Sequence, residues 1–166
     1  RKSARRETPG LFKELASDYM QRHALPKKRP SSVKEDQRIL DTYLIPTWGG
    51  KPYAEIRRSD VISLLDDLTI HRGAPVMANR VRALISRIFS FAIEKELLPE
   101  DAPNPVQRLR PNEETSRERV LSNDEIRRLW KLLDERPGQM PFIYKFILAT
   151  AQRSGEVKGM SWDEIG

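Results

Sequence analysis

A short segment near the end of the chain carries the residues best suited to phosphate chemistry. Residues 150–156 read Thr-Ala-Gln-Arg-Ser-Gly-Glu and follow an apolar run at 142–149. Pro141 suits the first turn of a helix, and the apolar run predicts a buried helix that ends at this segment. We expect such a helix to hold Arg153 rigidly at the edge of the core. The guanidinium stays charged, and its planar donors match the oxygens of a phosphate.

Glu156 lies three residues after Arg153, so its carboxylate can pair with the guanidinium or fix the turn. An ordinary surface ion pair has the same spacing and contributes less than about 1 kcal/mol to stability. The segment alone therefore leaves two interpretations open. It is either a reactive arginine with an acidic companion or a plain surface pair.

The net charge of +6 is concentrated in the first quarter of the chain. Residues 1–38 contain eleven basic and five acidic residues, which accounts for the whole excess. A basic segment of this kind favours a polyanionic partner, most plausibly nucleic acid. Ordinary solvation also tolerates such an excess, so charge alone does not decide the function.

The chain contains no cysteine, which excludes disulfides and thiolate metal sites and is typical of a reducing cytoplasm. No run of residues resembles a membrane span or a signal peptide. The sequence begins at Arg1 and stops just after the segment at 150–156. We therefore expect it to be part of a longer protein.

The first predicted helix is capped by Thr8, with Pro9 in its first turn. Its apolar positions recur at helical spacing, and they are Phe12, Leu15, Ala16, Tyr19, Met20 and His23. We interpret His23 as a packed side chain. Residues 25–30 are predicted to break the helix and form a basic loop. The cations of that loop, which can lie against phosphates, are Lys27, Lys28 and Arg29.

Two further helices are predicted from capping signals and apolar periodicity. Residues 32–35 form a capping box for the second helix, which Pro46 is expected to end before a tight turn at 48–50. Ser59 is predicted to cap the third helix, and Gly73 to end it. Lys34 and Arg38 lie one turn apart on the polar side of the second helix, which makes them candidate contacts to the DNA backbone.

The fourth predicted helix, residues 77–97, is the most informative. One face is a continuous apolar stripe, and the opposite face carries Asn79, Arg80, Ala83, Ser86, Arg87 and Ser90. Long cations among small residues suit a helix that enters the major groove, whereas a solvated face usually mixes Glu with Lys. We predict that Arg80 and Arg87 contact DNA first, with Asn79 and Arg82 next.

The chain is predicted to divide into two parts joined by a linker. Residues 1–108 form a helical DNA-binding domain with a basic arm at 1–8, and residues 109–119 form the linker. Residues 120–166 begin a second domain. Residues 122–125 are a second capping box, opening a helix whose buried side is predicted to be Ile126, Leu129, Trp130 and Leu133.

The segment at 150–156 and its tail resemble the first active-site box of the tyrosine recombinases, the phage-integrase family. That box reads Thr-Gly-x-Arg-x-x-Glu and is followed by a tail similar to residues 160–165, Met-Ser-Trp-Asp-Glu-Ile. Ala151 stands where the family usually has glycine. Upstream, the turn at 45–49, Ile56, the pair Asn79-Arg80 and the pair Asn104-Pro105 follow the order of the family's core-binding domain. The resemblance covers roughly residues 10–166.

The resemblance implies a mainly α fold, with a four-helix core-binding domain, a linker and the first helices of a truncated α+β catalytic domain. It implies that Arg153 is the first catalytic arginine and Glu156 its acidic companion. In the family, a tyrosine attacks a phosphate of double-stranded DNA, without metal or cofactor, within a homotetramer. The family's lysine, His-x-x-Arg box and nucleophilic tyrosine all follow this box, so we expect this chain to bind DNA and cleave nothing. A bacterial, nucleoid-associated cytoplasmic protein is expected.

Two other classes of protein remain as alternatives. A non-enzymatic helical DNA-binding regulator or architectural module explains the basic helices but not the Arg153–Glu156 box. A helical protein-interaction module with acidic partners explains less. The target DNA sequence does not follow from one sequence, because base preference also depends on DNA deformation.

Overall fold

The computed structural model describes residues 10–116, 118–161 and 163, and these residues are mainly helical. The chain folds as two compact units that divide between Thr115 and Ser116, inside the range predicted as a linker. Within the described ranges there is no strand, only an isolated bridge between Leu11 and Pro52. None of the described helices is long and apolar enough to cross a membrane. The predicted basic arm at 1–8 and the Thr8–Pro9 helix start lie outside the described residues.

The described part of the first unit, residues 10–115, contains four long helices, as the sequence predicts, and a short 3-10 helix at Tyr53–Glu55. The regular α-helical parts of the long helices are α1 (Phe12–Tyr19), α2 (Pro30–Ile39), α3 (Arg58–Asp66) and α4 (Pro75–Glu94). The first three continue through a wider π-helical turn, at Met20–Ala24, Leu40–Leu44 and Asp67–His71 respectively. A short α-helical end follows the first two of these turns, at Leu25–Lys27 and Ile45–Trp48.

The prolines at 26 and 46 do not stop their helices, contrary to the prediction. Each is the second residue of the short α-helical end that follows a π-helical turn. A proline lacks an N–H, and its ring would clash with the carbonyl four residues earlier in a regular helix. The wider turn just before each proline accommodates the ring. The predicted basic loop at 25–30 is therefore reduced to Lys28 and Arg29, which connect α1 to α2.

Two helix starts differ from the predicted caps. The α2 helix begins at Pro30, so Ser32 and Glu35 lie inside it and do not form the predicted capping box. The α3 helix begins at Arg58, because the Asp60 carboxylate accepts a hydrogen bond of 2.7 Å from the Arg57 backbone N–H. An acceptor three residues after the N-cap satisfies this donor, so Ser59 is not the cap.

The core of the first unit forms where the apolar stripes of the four helices meet. All six predicted stripe residues of α4 are buried, namely Val81, Leu84, Ile85, Ile88, Phe89 and Ala92. Phe12 of α1 packs edge-on against Trp48 at the end of α2, with ring centroids 5.7 Å apart. His23 is half-buried and stacks on Tyr19 at 5.3 Å, in keeping with its interpretation as a packed residue.

The turn after α2 ties that helix to the chain that enters α1. The Phe12 N–H donates to the Lys51 carbonyl at 2.9 Å, and the Tyr53 N–H donates to the Gly10 carbonyl at 3.1 Å. A Cβ at Gly49 would lie 2.7 Å from the Ile45 carbonyl oxygen, so only glycine fits there. The predicted tight turn at 48–50 is thus explained by a close backbone approach.

The second unit contains α5 (Asn123–Asp134), α6 (Met140–Thr150) and the short α7 (Ser154–Gly159). The predicted capping box opens α5, with reciprocal hydrogen bonds of 3.3 and 2.9 Å between Ser122 and Glu125. The prediction that α6 is buried is wrong, because Phe142 and Tyr144 are exposed. Trp130 is exposed too and not a core residue. The packing of the described helices of this unit on one another leaves these apolar side chains of α5 and α6 exposed to solvent.

Replacing Asp60 with asparagine is expected to lower the stability of the first unit in a pH-dependent way. The Arg57 N–H and the Lys51 ammonium, 2.9 Å from the carboxylate, lower the pKa of Asp60. A lowered folded-state pKa gives stabilisation that is present above the unfolded pKa of about 3.9 and is lost as the pH falls through the folded value. Asn keeps an acceptor for the Arg57 N–H but loses the charge, so we expect a loss of up to about 1 kcal/mol at neutral pH that shrinks in acid. Urea denaturation at several pH values measures it.

Asp66→Asn is the control, since Asp66 is exposed on the same helix. An equal loss of stability for the two variants, or a loss for Asp60→Asn that persists at pH 2, would contradict this account of the cap.

Candidate nucleic-acid interface

A cleft between α2 and α4 brings together two of the predicted DNA-binding residues, Arg80 and Arg87. It has a volume of about 310 Å³, with Ser31, Ser32 and Glu35 on the α2 side and Arg80, Ala83 and Arg87 on the α4 side. We call these six residues the basic groove. Arg80 and Arg87 are both exposed along the same flank of α4. The structure therefore places the two leading candidates side by side, as their spacing predicts.

Two carboxylates line this cleft: Asp36, which pairs with Lys28, and Glu35, which lies beside the arginines. Glu35 accepts two hydrogen bonds from Arg38, of 2.9 Å from Nε and 2.8 Å from Nη2. Its Oε1 atom also lies 3.6 Å from Nη1 of Arg80. These contacts hold the pKa of the Glu35 carboxyl below its usual range, the hydrogen bonds from Arg38 being the main cause. Arg38 is thus paired within the protein, on the groove side of α2.

Lys28 is not a solvated loop cation, and here the structure corrects the prediction. Its side chain is only 14% exposed, and its ammonium pairs with the Asp36 carboxylate. The same ammonium donates to the Tyr19 hydroxyl at 2.8 Å, and that hydroxyl donates to Asp36 at 3.2 Å. Burial raises the pKa of Tyr19. Lys28 joins α1 to α2 and offers little to a phosphate.

The remaining basic candidates lie on other parts of the surface. Lys27 and Arg29 are exposed beside the connection between α1 and α2. Lys34 lines a different, mainly apolar cleft between α1 and α2, which also contains Lys13 and Gln37. Lys34 and Arg38 are exposed neighbours one turn apart on α2, and neither of them lines the groove itself.

Asn79 is bonded to the segment that follows α4. Its side chain accepts from the Asn112 N–H at 2.7 Å and donates to the Asn112 carbonyl at 2.9 Å. It also donates to the Glu114 carboxylate at 2.7 Å. The Asn112 side chain donates in turn to Thr69 Oγ1 at 3.1 Å and to the Pro75 carbonyl at 3.3 Å. Contact with DNA through Asn79 would require the exchange of these bonds.

Arg82 and Asn104 secure the same segment at two further points. Arg82 donates to the Leu109 carbonyl at 2.9 Å, and its Nε is buried without a partner among the described residues. Asn104 donates to the Ser86 carbonyl at 2.9 Å and to Ser90 Oγ at 3.1 Å. We call residues 104–114 the strap. It covers one flank of α4 and leaves the flank with Arg80 and Arg87 open.

Arg153 lies in the turn between α6 and α7 and occupies the N-cap position of α7. Glu156 accepts a hydrogen bond from the Arg153 N–H at 3.2 Å and pairs with the Arg153 guanidinium at 3.4 Å. The carboxylate thus has both of the roles that its spacing allows: it fixes the turn and forms an ion pair. The Arg153 side chain is 89% exposed. The expected rigid placement at a core edge is therefore wrong for the described unit. Trp162, Glu164 and Ile165 of the predicted tail lie outside the described residues.

Ala151 ends α6 in the left-handed conformation, with φ 55° and ψ 20°. A glycine adopts this conformation without the cost that a Cβ imposes, which is about 1 kcal/mol. The position at which the resembling box has glycine is thus the position that reverses the chain ahead of Arg153. Alanine maintains the turn here with some strain.

Several residues that shape this surface were not among the predicted site residues. Glu35 was interpreted only as part of a capping box, although its spacing from Arg38 is that of a helical ion pair. Asp36 and Tyr19 bind Lys28 across two helices, and Asn112 binds Asn79 over 33 positions. No local pattern reports contacts of that range.

The sequence profile of the phage integrase central domain matches residues 12–110, which span the four helices of the first unit and most of the strap. Among relatives, the shufflon-specific DNA recombinase of Escherichia coli is 31% identical over 120 residues, which is 67% of this chain and 30% of that protein. The prophage integrase IntZ of Escherichia coli strain K12 is 27% identical over 160 residues, 93% of this chain and 38% of that protein.

Solved structures of lambda integrase share the fold. A dimer bound to a COC′ core site superposes with a TM-score of 0.79 at 18% identity, covering 95% of this chain and 43% of that one. A tetramer bound to a Holliday junction gives a TM-score of 0.80 at 17% identity, covering 99% of this chain and 51% of that one.

The four-helix unit and the profile match define the class of protein. The chain belongs to the phage integrase family, that is, the tyrosine recombinases. This chain spans about a third of the length of each of these two relatives, the shufflon-specific recombinase and the prophage integrase.

Replacing Asp36 with alanine is expected to destabilise the first unit by about 3 kcal/mol, because the Lys28 ammonium is left buried without its carboxylate. Urea denaturation followed by circular dichroism measures this loss. A Lys28→Met/Asp36→Leu double variant is expected to recover most of it, since an apolar pair of similar volume removes both charges. A loss below about 1 kcal/mol for Asp36→Ala would show that Lys28 is solvated instead.

Proposed function

We propose that this chain is the DNA-binding and first catalytic part of a site-specific recombinase that cleaves and rejoins double-stranded DNA through a tyrosine. In this proposal the first unit binds the duplex, and Arg153 of the second unit stabilises the scissile phosphate. Family membership supports the recombinase class, and the matched relatives are a DNA recombinase and an integrase. A homotetramer on DNA is proposed as the working assembly, by similarity to lambda integrase.

The basic groove is the observation that carries the DNA-binding part of the proposal. Arg87 lies seven positions after Arg80 on the helix, a rise of about 10 Å. The major groove of B-DNA is about 12 Å wide, so both guanidiniums can enter one groove. Ala83 lies between them along the same wall and permits close approach. On the opposite wall of the groove, which α2 forms, the small residues Ser31 and Ser32 likewise permit close approach of the DNA.

The catalytic part of the proposal depends on Arg153 and Glu156. A phosphoryl transfer step needs positive charge around the pentacoordinate phosphorus, which a guanidinium supplies through paired donors. The exposed side chain of Arg153 leaves its donors available to a phosphate. Glu156 supports it by fixing the turn through the Arg153 N–H. The nucleophilic tyrosine and the other catalytic residues are proposed to lie after position 166.

An Arg80→Ala/Arg87→Ala double variant of the 166-residue chain is expected to bind duplex DNA more weakly, because two phosphate or base contacts are removed. Affinity should fall by at least tenfold near 100 mM salt. The slope of log affinity against log salt should decrease by about 2, at about 0.9 per phosphate contact. Fluorescence anisotropy with a labelled random-sequence duplex at several salt concentrations measures both.

Arg22→Ala is the matched control, since Arg22 is an exposed arginine of the same unit that does not line the groove. Because Arg22→Ala removes one charge and the double variant removes two, a loss in log affinity for Arg22→Ala at least half as large as that of the double variant would contradict a role of the groove and indicate a diffuse electrostatic effect.

In a full-length recombinase that carries this chain, Arg153→Ala is expected to slow strand cleavage by about a hundredfold or more, because one donor to the phosphate is lost. DNA affinity should change by less than about twofold. Cleavage of a suicide substrate, analysed together with anisotropy, separates the two effects. The 166-residue chain itself is expected to cleave nothing, and cleavage of nicked duplexes by this chain would contradict the proposed position of the nucleophile.

A further inference from the structure

The carboxylate of Glu35 occupies the donors that an incoming phosphate would use. A guanidinium binds a carboxylate or a phosphate through the same planar pair of N–H groups. Nε and Nη2 of Arg38 both donate to Glu35, so that pair cannot bind a phosphate bidentately at the same time. A phosphate can therefore bind this edge of Arg38 only when the ion pair opens, and while it is closed only the Nη1 end of the guanidinium is not bonded to Glu35.

The same carboxylate reduces the charge that the groove presents through Arg80. Its Oε1 atom lies 3.6 Å from Nη1 of Arg80, within ion-pair distance but too far for a hydrogen bond. The donors of Arg80 thus remain available while its charge is partly compensated. Glu35 also lines the wall of the groove, so its own charge repels a phosphate that enters.

We propose that Glu35 is an internal competitor of the DNA backbone, which lowers the affinity of the basic groove for phosphate whatever the base sequence. This proposal rests on the proposed function of the groove and adds the residue that limits its non-specific affinity. Every duplex presents the same phosphates, so the competition applies equally to all sequences. Contacts to base edges are not opposed in this way.

Glu35→Gln is the test, because it removes the charge while it preserves the size of the side chain. Asp18→Asn is the matched control. Asp18 pairs with Arg22 at 3.4 Å on α1, outside the groove, and the exposed fractions of that pair, 44% and 52%, are close to the 36% and 58% of Glu35 and Arg80. Both substitutions raise the net charge by one, so any difference between them reports the position of the charge.

Binding of the 166-residue chain to a labelled random-sequence duplex is measured by anisotropy at several salt concentrations. For Glu35→Gln we expect three- to tenfold tighter binding at about 50 mM salt and a salt slope steeper by about 1 to 2, since one or two guanidiniums are released to phosphates. For Asp18→Asn we expect a change below about twofold. Circular dichroism confirms that both variants are folded.

Two results would overturn the competitor role. One is a Glu35→Gln affinity and slope equal to those of Asp18→Asn. The other is weaker binding by Glu35→Gln, which would mean that Glu35 positions the arginines for DNA. The Arg80→Ala/Arg87→Ala variant in the same series separates the two proposals. If it binds like the parent chain, the groove itself is not the DNA site. If it binds weakly while Glu35→Gln matches its control, only the competitor role fails.

Discussion

The burial of the apolar face of α4 is the constraint on which the rest of the first unit depends. Eight of its residues are buried against the other three helices. Once that face is fixed, the two flanks of the helix are fixed as well. One flank faces α2 across the basic groove, and the other receives the strap. The polar face of α4, which the sequence presents as one surface, is therefore divided into two: one flank lines the basic groove and the other binds the strap.

The strap makes part of the predicted linker a structural element of the first unit. Leu109, Asn112 and Glu114 are each held by a side chain of α4. The Asn79 side chain accepts from the Asn112 backbone N–H and donates to its carbonyl, so these two backbone groups of the strap are satisfied without water. The part of the linker without such bonds to α4 is correspondingly shorter than residues 109–119 suggest.

How much the sequence could predict depends on the range of each interaction. The four helices and the α4 stripe follow from periodicity, and the Ser122–Glu125 box follows from a three-residue signal. The continuation of the first two helices past Pro26 and Pro46 could not be predicted from the sequence. A π-helical turn just before each proline removes the expected clash between its ring and the backbone carbonyl. The bonds of Asn79 and Lys28 involve residues of other segments, which no local pattern identifies. The expected burial of α6 was wrong because periodicity reports an apolar face and not what covers it.

The ability of the first unit to attract DNA depends on which of its cations lack a carboxylate partner, and the net charge alone does not determine it. Of the basic residues at 27–38, Lys28 is neutralised by Asp36 and Arg38 by Glu35. Lys27, Arg29 and Arg87 form no ion pair with a carboxylate in the part of the chain that the structure describes. A surface ion pair opens at a cost of about 1 kcal/mol or less, whereas a buried one does not open for a phosphate. Arg38 and Arg80 can thus be recruited to DNA at a modest cost that their carboxylate sets, while Lys28 cannot. The charge excess of residues 1–38 therefore does not identify the cations available to DNA; for the described residues of that range, the ion pairing of each cation determines its contribution.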